Sequence, residues 1–244
     1  MTAARSIAAT RSIASSLVAL GTAFVVTLSA APAAAQVGNP PQESPYEDIE
    51  FRQGVDVFGG WWFAGTDPAG VAPQSGPMIG VRYDLLLGGP AYLTARLGTV
   101  ASERTVIDPA REAGDREVGT EKRPLTFIDV GITTALTGQK TWHELQPLLH
   151  LGVGAVTNFQ GEDLGGFKVG TSFAFAYGAG VKWVPGGRFT YRGDVGGQLY
   201  RVRYPDRYFT PGLDETSVLP VDAGKSNWLN NLTVTLGVSY QFRR

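Results

Sequence analysis

The sequence contains no cysteine, which excludes both a disulfide scaffold and a thiolate-held metal. Only two histidines occur among 244 residues, so metal ligation and acid/base chemistry have few places to sit. Charged residues are sparse at 18%, and the formal net charge of -1 gives no electrostatic footprint for a nucleic acid or another polyanion. No segment of useful length carries apolar residues at helical spacing. Glycine, in contrast, is plentiful at 32 residues, and its placement follows a two-residue rhythm.

Residues 1–35 read as a secretory signal. MTAARSIAATR carries Arg5 and Arg11 and no acid, SLVALGTAFVVTLSA is uncharged and largely apolar, and APAAAQ offers a small-residue cleavage site after Ala35. The apolar run is short and ends in small residues and proline, unlike a membrane anchor. Export with cleavage is expected, and without cysteine lipoprotein processing is not available. Residues 36–52, which begin QVGNPPQESPYEDIE, bear proline and acid without periodicity and are expected to form a flexible leader on the periplasmic side. The texture then holds from Gln53 to Phe242, with no sign of a second domain.

Within that span the period is two. Eight alternating runs cover roughly 53–65, 77–87, 91–106, 124–137, 145–159, 172–184, 189–204 and 228–242. Most are longer than ordinary soluble strands, and each exceeds the roughly 9–11 tilted residues needed to cross a bilayer. The connections after runs two, four and six are short: GGP at 88–90, TGQKTWHE at 137–144 and PGGR at 185–188. Those after the odd-numbered runs are long, among them the charged IDPAREAGDREVGTEKR at 107–123 and the stretch from Pro205 to Asn227. Loop lengths sorted to two sides predict an all-β fold, an eight-stranded antiparallel up-and-down transmembrane β-barrel over 53–242.

The faces support a membrane rather than an aqueous setting. In SFAFAYGAGVKWV, Phe173, Phe175, Tyr177, Val181 and Trp183 share one side, while Ala174, Ala176, Gly178, Gly180 and Lys182 share the other. A soluble barrel needs bulk inside and charge outside, and here the two are exchanged. Aromatic residues collect near run ends, with Trp61, Phe63, Phe127, Phe159, Phe173 and Trp228 toward the long loops. Tyr83, Trp183, Phe189, Tyr191, Tyr240 and Phe242 lie toward the short turns. Two aromatic belts at two water–lipid boundaries are the expectation, marked chiefly by Trp61, Phe63, Phe173, Trp183, Tyr191 and Trp228.

The final run, NNLTVTLGVSYQF, alternates to its end, with Leu236, Val238, Tyr240 and Phe242 on the apolar side. It resembles the C-terminal signal by which the outer-membrane assembly machinery recognises barrel strands. From leader to terminal strand the chain resembles the small eight-stranded outer-membrane proteins of the OmpA transmembrane-domain, OmpX and OmpW type. That family usually ends on the aromatic itself, whereas Arg243 and Arg244 follow here. No peptidoglycan-binding segment of the OmpA kind is present, so cell-wall tethering is not expected. The resemblance implies a porin-like cell-envelope protein of a Gram-negative bacterium. Its partners would be outer-membrane lipid and lipopolysaccharide, and the barrel-assembly machinery during biogenesis.

The inward register gathers Asp56, Arg82, Asp84, Arg96, Asp129, His150, Lys182, Arg192 and Asp194. Buried charges persist only when paired or hydrated, and an eight-stranded interior is just wide enough for side chains to fill. A plugged, charge-paired interior is therefore predicted. It would go with a structural or surface-interaction role and long extracellular loops able to meet a partner. The alternative is a narrow channel or transporter for small solutes. A third reading, an outer-membrane lipid-modifying enzyme, would need His150 oriented by Asp129 or Asp194, with Ser239 also facing inward. No enzyme activity and no cofactor are expected. AGKS at 223–226 imitates a phosphate loop but has Leu219 where its first glycine belongs, and GEDLGG has too few carboxylates for a calcium loop.

Overall fold

The computed structural model describes residues 44–242 apart from 160 and 213; the expected signal, its cleavage site, Arg243 and Arg244 lie outside the described residues. Twelve strands follow in chain order: β1 (Tyr46–Asp48), β2 (Gln53–Phe63), β3 (Gly76–Gly88), β4 (Ala91–Val100), β5 (Glu103–Ile107), β6 (Glu117–Lys122), β7 (Leu125–Ala135), β8 (Lys140–Trp142), β9 (Leu145–Thr157), β10 (Thr171–Trp183), β11 (Phe189–Arg203) and β12 (Ser226–Phe242). Eight of them, β2, β3, β4, β7, β9, β10, β11 and β12, pair antiparallel with their neighbours in sequence order. The last pairs with the first, from Leu232 opposite Phe63 to Phe242 opposite Gln53, and this closes the barrel. Closure leaves none of the eight with an open edge.

The alternation in sequence becomes an alternation of environment. On β12, Leu232, Val234, Leu236 and Val238 are exposed on the outer wall, while Asn231, Thr233, Thr235 and Ser239 are buried inside. Leu236 is 73% exposed in the middle of its strand. The same exchange holds on β3, where Ile79 and Val81 face out and Arg82 and Asp84 face in. Inward glycines make room for large neighbours: a Cβ on Gly80 would stand 2.5 Å from the Phe58 ring, and one on Gly98 would stand 2.5 Å from the Phe127 ring.

The short connections are tight. Gly89 (φ 53°) turns the chain between β3 and β4, and Gly186 (φ 89°) with Gly187 (φ 79°) does so between β10 and β11. The connection from β7 to β9 contains β8, whose residues Lys140 and Trp142 pair with Asp48 and Tyr46 of β1. The expected flexible leader therefore ends in an ordered strand at Tyr46–Asp48. Its local sequence lacks periodicity, but its backbone groups find partners on the longest of the short turns, which sequence spacing alone cannot reveal.

The third run differs from expectation as well. Its alternation continues from Val100 to Val106, yet the barrel strand ends at Val100 and β5 begins at Glu103. Across the break the hairpin continues, since the Arg123 amide donates to the Ser102 carbonyl at 2.8 Å and Glu103 pairs with Lys122. Pro124 stands between β6 and β7 and has no N–H for the ladder, which interrupts pairing there. The expected loop at 107–123 is thus largely a hairpin.

Leu236→Arg is predicted to destabilise the barrel in lipid vesicles by about 2–4 kcal/mol, the cost of a cation near the bilayer midplane. Urea titration of the wild type and the variant measures it, and a loss below about 1 kcal/mol would put that wall outside hydrocarbon.

Candidate functional site

The interior has two storeys. Toward the short turns lie the charges, and all nine predicted residues enter one network. Arg82 stands between Asp56 at 3.8 Å and Asp194 at 2.9 Å. Arg192 donates from Nε to both Asp194 oxygens, at 2.8 and 3.0 Å, and its Nη1 lies 3.3 Å from Asp84. Lys182 approaches the same Asp84 at 3.8 Å and sits 5.3 Å from the centre of the Tyr92 ring. On the adjoining strands β4, β7 and β9, Arg96 donates to Asp129 at 2.9 Å, and His150 Nε2 lies 3.5 Å from that carboxylate.

Two threonines join these halves. The Thr94 hydroxyl donates to Asp84 at 2.6 Å and lies 2.7 Å from Thr133, whose oxygen is 3.1 Å from His150 Nδ1. Gln198 adds a bond to Asp129 at 3.3 Å. The four strands that supply Asp56, Arg82, Arg96 and Asp129 are neighbours, and their ladders place Asp56 opposite Arg82, Arg82 opposite Arg96, and Arg96 opposite Asp129. Register thus puts an acid at each end of this row and two arginines in its middle, where Arg82 reaches Asp56 and Asp194 and Arg96 reaches Asp129. Thr94, Thr133, Gln198 and Tyr92 were missed from sequence because neutral side chains give no charge signal, although each shares parity with a charged neighbour on its strand.

Toward the long loops the lining turns apolar. Phe58, Trp62, Val100, Leu125, Phe127 and Tyr200 are all buried there. The Arg82 guanidinium lies 5.1 Å from the Phe58 ring centre, marking the boundary between the storeys. Trp62 and Tyr200 have 0% exposure, and Trp62 stacks on Phe127 at 6.2 Å between ring centres. Phe127 was expected in an aromatic belt, and the structure places it inside. It shares parity with Asp129 on β7, so an inward Asp129 requires an inward Phe127. The six chief belt residues, Trp61, Phe63, Phe173, Trp183, Tyr191 and Trp228, are exposed on the outer wall. Of the terminal-strand residues, Leu236, Val238 and Phe242 are exposed as well, and Tyr240 packs edge-on against Phe189 and Phe242.

Four long connections, 64–75, 101–124, 158–170 and 204–225, form a tied cap over the apolar storey. Asp67 accepts the amides of Val71 and Ala72 at 2.7 and 2.8 Å and the hydroxyl of Tyr204, which joins the first connection to the fourth. Buried Arg104 pairs with buried Asp163 at 2.8 Å and lies 5.2 Å from the Phe167 ring centre, which joins the second to the third. Phe167 stacks on Tyr204 and Tyr208. Burial, with the Asp163 charge nearby, pushes the Tyr208 phenol up from its ordinary value. Arg116 Nη2 donates to Asp214 at 3.0 Å and to the Thr216 carbonyl at 2.6 Å, a second tie from the hairpin to the fourth connection. The Ala113 amide at 2.7 Å, helped by Thr216 and Arg116, holds the Asp214 carboxyl down to about 2.

Chemically, the His150–Asp129 pair has a hydroxyl beside it, but that hydroxyl is Thr133, 1% exposed and shared with Thr94. Asp194 is taken by Arg82 and Arg192, and Ser239 accepts from Gln241 at 2.8 Å. A nucleophile must meet its substrate, and this one is enclosed. Among the described residues no group of three or more acid or histidine side chains is arranged to hold a metal ion.

No protein-family model matches the chain, and no curated protein sequence does. Its fold is similar to those of small outer-membrane barrels. Against the outer membrane protein OprG of Pseudomonas aeruginosa the identity is 13%, the TM-score 0.47, and the coverage 81% of this chain and 100% of that one. Against Neisserial surface protein A the values are 12%, 0.48, 78% and 97%. Against the outer membrane protein AlkL in lipid bilayers they are 14%, 0.46, 85% and 97%. These likenesses concern fold alone.

Two outcomes are predicted. Arg82→Met leaves the buried Asp56 without its cation and Asp194 with Arg192 alone, and should cost about 3–5 kcal/mol in a denaturant titration; a neutral result would mean that water, not Arg82, satisfies Asp56. Because Asp214 is held below the ordinary carboxylate range, the tie it makes is intact above that range and is lost as pH falls through about 2. The Ala113 amide resonance should titrate with that midpoint, and a midpoint near 4, the ordinary aspartate value, would contradict the tie.

Proposed function

We propose that the protein is an integral outer-membrane barrel of the bacterial envelope. Its interior is closed, and its work is structural or at the cell surface, through the tied cap. The observation that carries this reading is the coincidence of two layers: a balanced charge network below, and buried Trp62, Phe127 and Tyr200 beneath the cap above. An ion entering from the cap side would have to displace packed aromatic rings before meeting the charge network below.

The membrane setting is supported by the outer wall of exposed valine, leucine and isoleucine flanked by exposed aromatics, and by the secretory signal expected over residues 1–35. Strands of 10–17 residues are long enough to cross hydrocarbon with tilt. The cap, not the lumen, presents accessible chemistry, including Phe159 and Leu164 on the third connection, both largely exposed. Rigid scaffolds commonly carry recognition on such loops. Transport of small solutes is the competing role, and for catalysis the His150–Asp129 pair with Thr133 is enclosed.

Reconstituted into a planar bilayer, the folded protein is predicted to give no reproducible single-channel steps. Regular unitary steps from the wild type, abolished by heat unfolding, would establish conduction and overturn the closed interior.

A further inference from the structure

On the outer wall, at the long-loop ends of β10, β11 and β12, two arginines stand above a row of aromatic rings. Tyr200 pairs with Ala174 and Arg201 with Trp228, so Phe173, Arg201 and Trp228 lie side by side across three strands. Arg203 is two residues further out on the same face, opposite Ser226. Both arginines are exposed. Arg201 donates from Nε to the Ser226 hydroxyl at 2.7 Å and again from Nη2 to the same oxygen. Neither guanidinium joins an ion pair with a carboxylate among the described residues. This sets them apart from Arg82, Arg96, Arg104, Arg116 and Arg192, each of which has an acid within reach.

The two cations flank a half-open cleft of about 600 Å³ whose wall also includes Lys168, Thr171, Phe173 and Trp228. Lys168 is already held by Glu162 at 2.9 Å, so the uncompensated charge in the cleft belongs to Arg201 and Arg203. Below them the rings continue: Phe173 meets Phe175 edge-on at 5.0 Å, and Phe175 lies 6.2 Å from Trp228. Guanidinium cannot discharge by losing a proton, and its planar fork matches a phosphate in bidentate fashion. An amphiphile with an anionic head and an apolar tail satisfies both parts of this surface at once.

We infer that this cleft is a binding site for the phosphate ester of an outer-leaflet lipid, a phosphorylated glycolipid whose acyl chain lies against Phe173, Phe175 and Trp228. The assignment rests on the membrane reading given under Proposed function. Arg203 and Arg201 clamp the phosphate, and the Ser226 hydroxyl keeps the Arg201 fork aimed along the wall. A free phosphate ion would use the arginines but leave the ring row without a role.

The test places the wild type and the double variant R201Q/R203Q in phosphatidylcholine nanodiscs doped with bis-phosphorylated lipid A or with its dephosphorylated form. Lipid retained after transfer to mild detergent is counted by native mass spectrometry. The double variant R111Q/K122Q removes two charges from the second connection and serves as the charge control. The wild type and the control should retain lipid A, with R201Q/R203Q weaker by at least about tenfold, the effect of losing about 1.4 kcal/mol of charge-assisted bonding. The dephosphorylated lipid should be held weakly and equally by all three. Equal retention of lipid A by the wild type and R201Q/R203Q, both inserted with the same heat-sensitive gel mobility, overturns the site. Full displacement of lipid A by millimolar inorganic phosphate also overturns it, since the cleft would then read a free anion. A wild type that never enters the discs marks failure of the membrane reading itself, visible before any lipid is counted, and removes the site with it.

Discussion

A backbone amide that faces hydrocarbon has no water to bond, so a sheet can cross a bilayer only by closing on itself. In this chain closure is the pairing of β12 with β2, and every other feature is shaped by it. Once the ring is shut, each strand has one face toward lipid and one toward a narrow lumen. The outer face takes valine, leucine and isoleucine, and the polar residues have nowhere to go but inward. Burying them unpaired would cost several kcal/mol per ion. The register sets Asp56 opposite Arg82 and Asp129 opposite Arg96, and the two arginines, opposite each other in the middle of the row, are balanced by these acids and by Asp194 from across the lumen.

The same enclosure explains why the interior changes character along its length. Near the short turns, charges from facing walls meet across the lumen, as Arg82 meets Asp194 and Arg192 meets Asp84. Near the long loops the lumen is roofed by chain, and an apolar filling can be covered by Val71, Phe167, Tyr208 and Leu219 from the connections. The cap then has its own small core and its own buried ion pair, Arg104–Asp163, instead of a set of independent loops. A cap tied in this way presents a fixed surface outward and covers the lumen beneath it, so the closed interior and the surface role proposed for the protein would have one structural origin.

The barrel was legible in the sequence because its signal is local: alternation, strand length and the sorting of connections all reside in contiguous residues. Strand ends at Gln53, Ala91, Leu145 and Phe189 fall where the alternating runs begin. The nine interior charges were legible for the same reason, since parity along a strand assigns a face. Parity also carried information that was overlooked, because Phe127 is two residues from Asp129 and Trp62 is six from Asp56. Aromatic residues suit a belt and a core equally well, and only strict counting separates the two. The cap was not legible. Its ties join residues far apart in the chain, Arg116 to Asp214 and Asp67 to Tyr204, and no local pattern announces them. The docking of Tyr46–Asp48 on Lys140–Trp142 was hidden for the same reason.

The absence of native cysteine allows the central claim, that bulk faces hydrocarbon while polar groups face the lumen, to be measured one residue at a time. Single cysteines placed successively from Leu232 to Ser239, spin-labelled and reconstituted in lipid vesicles, report collision with oxygen dissolved in hydrocarbon. The account predicts high oxygen access at Leu232, Val234, Leu236 and Val238, and low access at Thr233, Thr235, Gly237 and Ser239. A flat profile, or one with the two sets exchanged, would contradict it.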